Sequence, residues 1–342
     1  MRGHVRTAVV IGLAIAMLAW FLNDANLTEV WAEMQRGRLD LLALALAATA
    51  LTYVLRAFRW QYLLLPLGRP HFSMVFKTTV IGFAASTLLP ARAGEVVRPY
   101  LLARHEGFSA TAAFATIIVE RLLDMLTVLL LFAVYLVVAD PGRAAADSDV
   151  FRALKLGGLI VGGVSVAGLV FMMVVAGHPG TLSAWALRIE RVLPARVAHA
   201  VARGVRTFLE GLAVVRQPGR LAITGLLSIP LWLSIALGIW AVSQAYHIDM
   251  SYPGAFLVMA VLVVGVAVPT PGAVGGFHQA YRIGVTAFFG ATTPQAVGAA
   301  IVLHAVSFVP VTLLGGLFMA QEGLSLSRVR GLASGAAPEE AP

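Results

Sequence analysis

The sequence contains no cysteine and few charged residues for its length. The first absence excludes disulfides, thiol nucleophiles and thiolate-bound metals. Charged side chains make up 12% of the 342 residues, whereas soluble domains carry about 25%. Lysine is scarce as well, since Lys77 and Lys155 are the only two in the sequence, so the net charge of +8 comes almost entirely from arginine. No Walker A pattern is present, and no segment is polar enough to predict a separate soluble domain.

Apolar residues dominate the composition of the sequence. They account for 59% of the chain, and the mean hydropathy is +0.85. Long apolar runs of about 20 residues are typical of helices that cross a bilayer. We therefore predict an all-α polytopic membrane protein with about six full transmembrane helices and two broken helical hairpins in an inverted repeat. The predicted full spans are residues 7–22, 39–55, 111–139, 154–176, 221–245 and 295–319.

Two further apolar runs are interrupted by proline and glycine. Residues 72–89 lead into Leu-Pro-Ala-Arg-Ala-Gly-Glu, and residues 256–268 lead into Pro-Thr-Pro-Gly-Ala-Val-Gly-Gly-Phe. Non-helical backbone at membrane depth is tolerated only inside protein or beside a wet cavity, so both segments are predicted to be re-entrant. Glycine also allows tight turns whose N–H groups can face an anion. The predicted hinge residues are Pro90, Gly94, Pro269, Pro271, Gly272, Gly275 and Gly276.

The distribution of basic residues predicts how the chain lies in the cytoplasmic membrane. With both termini in the cytoplasm and both interrupted segments returning to their own side, most arginines lie inside, as the positive-inside rule requires. The basic residues left outside are Arg36, Arg38, Arg143, Arg152 and Lys155.

The order of span, span, interrupted segment and span occurs twice, and the second copy starts from the opposite side. This arrangement is typical of transporters built from inverted repeats. Setting Pro90 against Pro271 places Gly94 on Gly275. The predicted divisions are a first repeat, an outer loop with the next span, a basic amphipathic cytoplasmic helix, the rest of the second repeat, and a disordered cytoplasmic tail. These cover residues 1–140 (re-entrant segment 72–105), 141–180, 181–218, 219–323 (re-entrant segment 253–291) and 324–342.

Charged residues cluster around the first interruption, where a membrane protein should carry few. Ionisable groups at membrane depth are costly and usually mark a binding site or a pathway. We expect them to converge on one cytoplasm-facing cavity that binds a polar headgroup. A structural ion pair between Arg121 and Asp124 is the alternative for those two residues. The cluster comprises Arg92, Glu95, Arg98, Glu120, Arg121 and Asp124.

The second half offers fewer ionisable candidates. His278 and Arg282 lie four residues apart and are expected to share a helix face beside the outer vestibule, and His304 follows on the last span. A histidine bonded within the bundle is the alternative for His304. Arg56 and Arg59, next to Trp60, are interpreted as an anchor at the membrane interface, with phosphate contact as the lesser alternative.

These motifs resemble a known family. The segments Ser86 to Leu102 (Ser-Thr-Leu-Leu-Pro-Ala-Arg-Ala-Gly-Glu-Val-Val-Arg-Pro-Tyr-Leu-Leu) and Ala115 to Asp124 (Ala-Thr-Ile-Ile-Val-Glu-Arg-Leu-Leu-Asp), with Pro269 to Phe277, are similar to the flippase-like membrane domain of lysylphosphatidylglycerol synthases. The resemblance implies a lipid-translocating domain built on two re-entrant helices. The two-part synthases add a cytosolic aminoacyl-transfer domain, for which this sequence has no counterpart. The resemblance therefore does not imply that this protein synthesises an aminoacyl lipid.

The leading hypothesis is a flippase-like protein, not itself an enzyme, that moves a polar lipid headgroup across the cell membrane. It needs no cofactor and no metal, and its ligand is an anionic phospholipid or a polyprenyl-linked lipid. A membrane-embedded lipid-modifying transferase that uses Glu120 and Asp124 as base or metal ligands, and a non-transporting membrane subunit, are the alternatives. Nucleic acid is not expected as a partner, while a homo-oligomer and a separate lipid-modifying enzyme stay open.

Overall fold

A computed structural model describes residues 2–23, 25–89, 93–138, 149–177, 204, 207–268 and 270–324. Over these residues the chain folds into α-helices joined by short turns. Five of the helices are long and apolar enough to cross a membrane, which confirms a polytopic all-α membrane protein. They are α3 (Leu39–Leu64), α6 (Ala110–Val138), α7 (Asp149–Gly177), α8 (Pro218–Ala245) and α11 (Thr293–Gln321).

The first predicted span lies within α1 (Arg2–Leu22), where Gly12–Leu22 forms a shorter apolar helix. A short amphipathic helix that was not predicted follows it, α2 (Leu27–Gln35), which packs against the start of α11. Its first turn is capped by the side chain of Asn26, which accepts a hydrogen bond from the backbone N–H of Thr28 at 3.1 Å. Capping and packing hold this connector against the bundle.

Both interrupted segments form the predicted helical hairpins. In the first hairpin, α4 (Phe72–Leu88) packs against α5 (Gly94–Glu106); in the second, α9 (Gly254–Ala267) packs against α10 (Gly276–Phe289). Glycines allow the two helices of each hairpin to pack closely. A Cβ on Gly94 would lie 1.6 Å from the carbonyl oxygen of Gly82, and a Cβ on Gly276 would lie 2.4 Å from the carbonyl oxygen of Gly265. Only glycine fits such contacts.

The two halves of the chain pack in corresponding ways. Helix α3 packs along α8 at the centre. The first helix of each hairpin packs on the long helix of the other half, α4 on α11 and α9 on α6. The second helix of each hairpin packs on the long helix that follows it, α5 on α6 and α10 on α11. An internal two-fold repeat would give this pattern, although the inversion across the membrane stays a prediction. The alignment of Pro90 with Pro271 paired Gly94 with Gly275. In the structure α5 begins at Gly94 and α10 begins at Gly276, so Gly94 corresponds to Gly276, one residue further along.

The remaining divisions fall largely outside the described residues. Residues 141–148, most of the predicted amphipathic segment 181–218 and the tail from residue 325 are not described. At the end of the amphipathic segment, Leu212 and Val215 are fully buried, and a Cβ on Gly211 would lie 2.1 Å from the carbonyl oxygen of Ala112 on α6. The described end of this segment therefore packs into the bundle. Helix α7 is peripheral, and most of its apolar side chains are exposed, as expected of a surface that faces lipid.

Candidate functional site: an arginine-lined cavity between the hairpins

Two carboxylates on α6 form the centre of the charged cluster. Glu120 and Asp124 lie four residues apart on one helix face, and both are fully buried. Buried carboxylates need charged or hydrogen-bonding partners, because desolvating an unpaired ion is strongly unfavourable. Their partners come from α3, α5, α8 and α6 itself.

Arg59 on α3 is the main partner of Asp124. Its Nη1 lies 2.6 Å from Asp124 Oδ1 and 2.7 Å from the hydroxyl of Ser228 on α8, and its Nη2 lies 3.5 Å from Glu120 Oε1. The indole N–H of Trp232 donates to the same Asp124 oxygen at 2.8 Å. The interfacial anchor predicted for Arg59 and its neighbour Arg56 is therefore wrong. Helix α3 continues to Leu64, nine residues beyond the predicted span, and carries both arginines into the protein interior.

Two further arginines converge on Glu120. Arg98 Nη1 on α5 lies 3.1 Å from Glu120 Oε1, and its guanidinium stacks 3.7 Å from the ring centroid of Trp60. Arg121 Nη2 lies 2.5 Å from the same oxygen and 3.5 Å from Asp124 Oδ2. The predicted pairing of Arg121 with Asp124 is thus the longer of its two contacts, and Glu120 is its principal partner.

The first hairpin brings Arg98 to Glu120 through a small-residue contact. A Cβ on Gly82 of α4 would lie 2.7 Å from the Cβ of Arg98, so α5 can cross α4 at this height only over a glycine. The neighbouring Trp60 donates its indole N–H to the hydroxyl of Thr116 at 3.0 Å, which fixes the ring beneath the guanidinium. Local backbone sterics and ring placement therefore orient Arg98.

A cavity of about 320 Å³ lies between the two hairpins and the central pair α3 and α8. Its wall is mostly apolar, with hydroxyl side chains interspersed and a charged end. The charged residues of that end, among those the structure describes, are Arg56, Glu95, Arg98 and Arg121. Glu120 and Asp124 are absent from the described lining and lie behind the arginines they pair with, so two predicted headgroup ligands support the cavity wall instead.

The second hairpin contributes uncharged residues and a tight backbone turn to the cavity wall. Its break takes the left-handed conformation at Gly272 (φ 61°), Ala273 (φ 57°) and Gly275 (φ 86°), and Gly272, Ala273 and Phe277 line the cavity. Such a run is favourable at glycine and strained at Ala273. The tight turn predicted from the glycines is therefore present at the wall.

The two predicted histidines stabilise this break. His304 Nε2 lies 2.7 Å from the carbonyl oxygen of Gly272, and the backbone N–H of Gly275 donates to His278 Nδ1 at 3.3 Å. The two imidazole rings stack 4.5 Å apart, and the ring of Phe308 stacks on His304. Neither histidine belongs to the described cavity lining. The alternative of a histidine bonded within the bundle accounts for His304.

Arg282, predicted to line an outer vestibule, holds the end of α1. Its Nη1 donates to the carbonyl oxygen of Phe21 at 2.6 Å and to that of Asn23 at 3.1 Å. A cation is favourable at a helix C-terminus, where carbonyl groups lack helical partners. Arg282 therefore joins α10 to α1, away from the described wall of the cavity.

The structure thus unites Glu95, Arg98 and Arg121 at one cavity and places Glu120 and Asp124 directly behind them. Pro90, Arg92 and Pro269 lie outside the described residues. Trp232 was missed as a site residue, and Arg56 and Arg59 were assigned to the membrane interface, with phosphate contact only as the lesser alternative. The available signal was the Arg-x-x-Arg spacing of Arg56 and Arg59, which places both on one face of α3 as a continuous helix.

Long apolar helices, two broken hairpins and a mostly apolar cavity with a charged end define this chain as a multi-pass helical membrane protein with an internal site. The family described as the lysylphosphatidylglycerol synthase TM region matches residues 7–315, and the chain belongs to that family. It is also 26% identical over 341 residues to Glycosyltransferase AglD of Haloferax volcanii, an alignment that covers 91% of this chain and 54% of the relative. The chain thus spans about half the length of that curated relative.

Proposed function

We propose that the protein moves a polar lipid across the cytoplasmic membrane, with the headgroup passing through the cavity between the hairpins. One observation carries the proposal: a cavity of about 320 Å³ that joins arginines at one end to an apolar wall along its length. Guanidinium groups suit a lipid phosphate, and an apolar wall suits an acyl or polyprenyl chain.

The corresponding packing of the two halves supports an alternating-access cycle. In such folds the site lies between two broken helices, and one repeat moves against the other. Here both hairpins line the same cavity: Gly94 and Glu95 from the first, Gly272 and Phe277 from the second. A change in the angle between them would alter which side of the membrane the cavity opens to.

A membrane-embedded transferase is the second candidate, since the relative from Haloferax volcanii is called a glycosyltransferase. The geometry favours transport over that alternative. Glu120 and Asp124, its proposed base or metal ligands, each accept bonds from arginines and are fully buried behind the cavity wall. A carboxylate engaged in this way is a weak base.

Reconstitution in liposomes with a fluorescent phospholipid tests the proposal. An impermeant quencher should reach lipids of the inner leaflet faster in vesicles with protein than in empty ones, while mass spectrometry of the recovered lipid shows no new product. Ser307→Trp, which fills the cavity from α11, should abolish the gain. Leu317→Trp, on the exposed face of the same helix, is the matched control and should retain it. A chemically changed lipid would establish the transferase instead.

Orientation is tested separately. We propose that both termini are cytoplasmic, so single cysteines at Arg104 and Thr292, which lie near the open ends of the two hairpins, should react with impermeant reagents from opposite sides. The native chain has no cysteine to interfere. Labelling of both positions from one side would refute the inverted arrangement.

A further inference from the structure

We propose that the cavity selects an anionic, hydroxyl-bearing lipid headgroup, that Arg56 is the residue that binds its phosphate, and that an aminoacylated, cationic lipid is disfavoured. This inference deepens the proposed function and rests on it for the passage of the lipid. Its argument concerns binding alone, and binding can be measured without transport.

Arg56 differs from the other three arginines of the cluster. Arg59, Arg98 and Arg121 each form an ion pair with Glu120 or Asp124. Among the described residues, no carboxylate lies within ion-pair distance of Arg56, and its buried Nη1 has no hydrogen-bond partner. Because a buried guanidinium without an anion is unfavourable, this position calls for an anionic ligand.

Two aromatic rings lie beside the Arg56 guanidinium. Its Cζ lies 4.9 Å from the ring centroid of Phe83 on the first hairpin and 5.9 Å from that of Trp232 on α8. A cation–π contact does not require the N–H groups of the guanidinium, so these can still donate to a ligand. A phosphate can accept two such bonds side by side.

Among the described charged groups around the cavity, positive charges outnumber negative ones by one. Four described arginines, Arg56, Arg59, Arg98 and Arg121, face three carboxylates, Glu95, Glu120 and Asp124. With each group in its usual ionised form at neutral pH, one positive charge is left over. A phosphodiester supplies the missing charge, whereas a lysyl ester of the same lipid would bring a net positive headgroup beside three arginines of the wall.

The cavity lining also contains side chains that can bind hydroxyl groups. Thr49, Thr52, Ser86 and Ser307 are among the hydroxyl side chains that line the cavity. Thr49 and Thr52 donate to carbonyl oxygens of their own helix, at 3.0 and 2.9 Å. Thr52 Oγ1 also lies 2.7 Å from the Ser234 hydroxyl, so Thr49 is the one of these two whose oxygen can accept from a ligand hydroxyl, as on glycerol or a sugar. Glu95, the single carboxylate in the described lining, is outnumbered by arginines.

Lipid binding to the purified full-length protein tests the inference. Detergent-solubilised protein is titrated by native mass spectrometry with four lipids that have identical acyl chains: phosphatidylglycerol, phosphatidylethanol, lysylphosphatidylglycerol and phosphatidylcholine. We expect phosphatidylglycerol to bind best. Phosphatidylethanol, with the same charge and no free hydroxyl, should bind a few-fold more weakly, and lysylphosphatidylglycerol about tenfold more weakly or worse.

Variants assign the phosphate contact. Arg56→Gln should weaken phosphatidylglycerol binding about tenfold or more, as expected for the loss of a charge-assisted hydrogen bond. Arg56→Lys keeps the charge and should retain part of the affinity. Arg36→Gln removes an exposed arginine on the connector after α2 and should bind as the wild type does. Monodisperse elution of each variant verifies that it is folded.

The outcomes separate this inference from the proposed function. Unchanged phosphatidylglycerol binding by Arg56→Gln, or equal binding of the lysyl lipid, would overturn the inference even if liposomes show transport. Selective, Arg56-dependent binding without transport would uphold it and refute the transport function. Glycerol phosphate added as a soluble competitor distinguishes the source of the phosphate: displacement at concentrations similar to the lipid's would identify a free phosphate ester as ligand and overturn the assignment to a lipid.

Discussion

The two hairpins share a backbone plan and differ in chemistry. Each crosses itself at a pair of glycines, Gly82 with Gly94 in the first and Gly265 with Gly276 in the second. The first carries Glu95 and Arg98 and is tied to α6 by the buried ion pair of Arg98 with Glu120. The second is held by histidine contacts to its own backbone. The two hairpins thus share a backbone geometry while their side chains differ.

The difference separates two tasks within one cavity. Ion pairs fix where charge lies, so under the proposed function the first hairpin would determine which headgroup is favourable. Backbone turns fix shape, so the second hairpin would supply the wall opposite it. Variants that remove one kind of contact at a time should therefore affect the two hairpins differently.

The largest effect is expected from the carboxylate that anchors the charged side. Asp124→Leu leaves Arg59 buried without its main partner, which should lower the free energy of unfolding by about 3–5 kcal/mol. The double variant Arg59→Leu with Asp124→Leu should recover most of that loss, because no charge is then stranded. Thermal unfolding of the purified variants measures both. A double variant as unstable as the single one would show that Asp124 acts through other contacts.

A smaller effect is expected where the helices of each hairpin cross. Gly94→Ala places a methyl group against the Gly82 backbone and should cost about 1–3 kcal/mol. Gly276→Ala should cost less, since the corresponding approach is 2.4 Å rather than 1.6 Å. Gly163→Ala, on α7 with no atom within 4 Å of the added methyl, is the control and should not destabilise. The same melting measurements apply, and an equal loss at both crossings would contradict the ranking.

His304→Phe tests the histidine support of the second hairpin. The ring stacking is retained, but the bond to the Gly272 carbonyl oxygen is lost, which should cost about 0.5–1.5 kcal/mol. The variant should stay folded, but its rate of phospholipid transport in liposomes should fall clearly below that of the wild type, because the break loses its fixed shape. The conservative control is Phe308→Leu, which removes a ring from the stack and keeps the hydrogen bond. Unchanged transport by His304→Phe would show that the break does not depend on this bond.

The smallest effect concerns an ion cluster at the end of α11. Lys77 on the first hairpin donates a hydrogen bond to Glu322 and holds the pKa of that carboxyl below its usual value, with His105 3.0 Å from the other oxygen. A lowered pKa contributes stability above the unfolded-state pKa near 4.5 and loses it as the pH falls through the folded-state value. Partly exposed pairs of this kind are worth about 0.2–1 kcal/mol.

Glu322→Gln should therefore be slightly less stable than the wild type at pH 5.5, and the difference should vanish as the pH falls below 4.5. Melting curves across that range measure it. A difference that grows on acidification would contradict the assignment.

The sequence predicted the hairpins well because proline and glycine interrupt long apolar runs, and such interruptions have few structural explanations. It also predicted that Arg98, Glu120, Arg121 and Asp124 converge, since charge at membrane depth needs partners. It failed at Arg59. An arginine beside tryptophan at the end of an apolar run suits both an interfacial belt and a buried ion pair, and only the partners on α6 and α8 decide between them.

Periodicity also could not indicate which charges face the cavity. Glu120 and Arg121 are adjacent in sequence, yet the carboxylate is fully buried while the arginine side chain is 32% exposed. Which of two neighbours reaches the wall depends on helix rotation, and that rotation is set by packing against α3 and α5. The roles of His278 and Arg282 were equally hidden, because their partners are backbone carbonyl and amide groups that carry no sequence signature.

The ion pairs behind the wall have a consequence for the unloaded protein. Arg59, Arg98 and Arg121 each have a carboxylate partner within the protein and do not depend on a ligand for one. Of the three arginines in the described cavity lining, Arg56 alone therefore has no carboxylate partner, instead of all three. A carrier must reset without cargo as readily as it moves with it. For the transport proposed above, arginines that are neutralised by carboxylates behind the wall would remove an electrostatic obstacle to the return of the empty carrier.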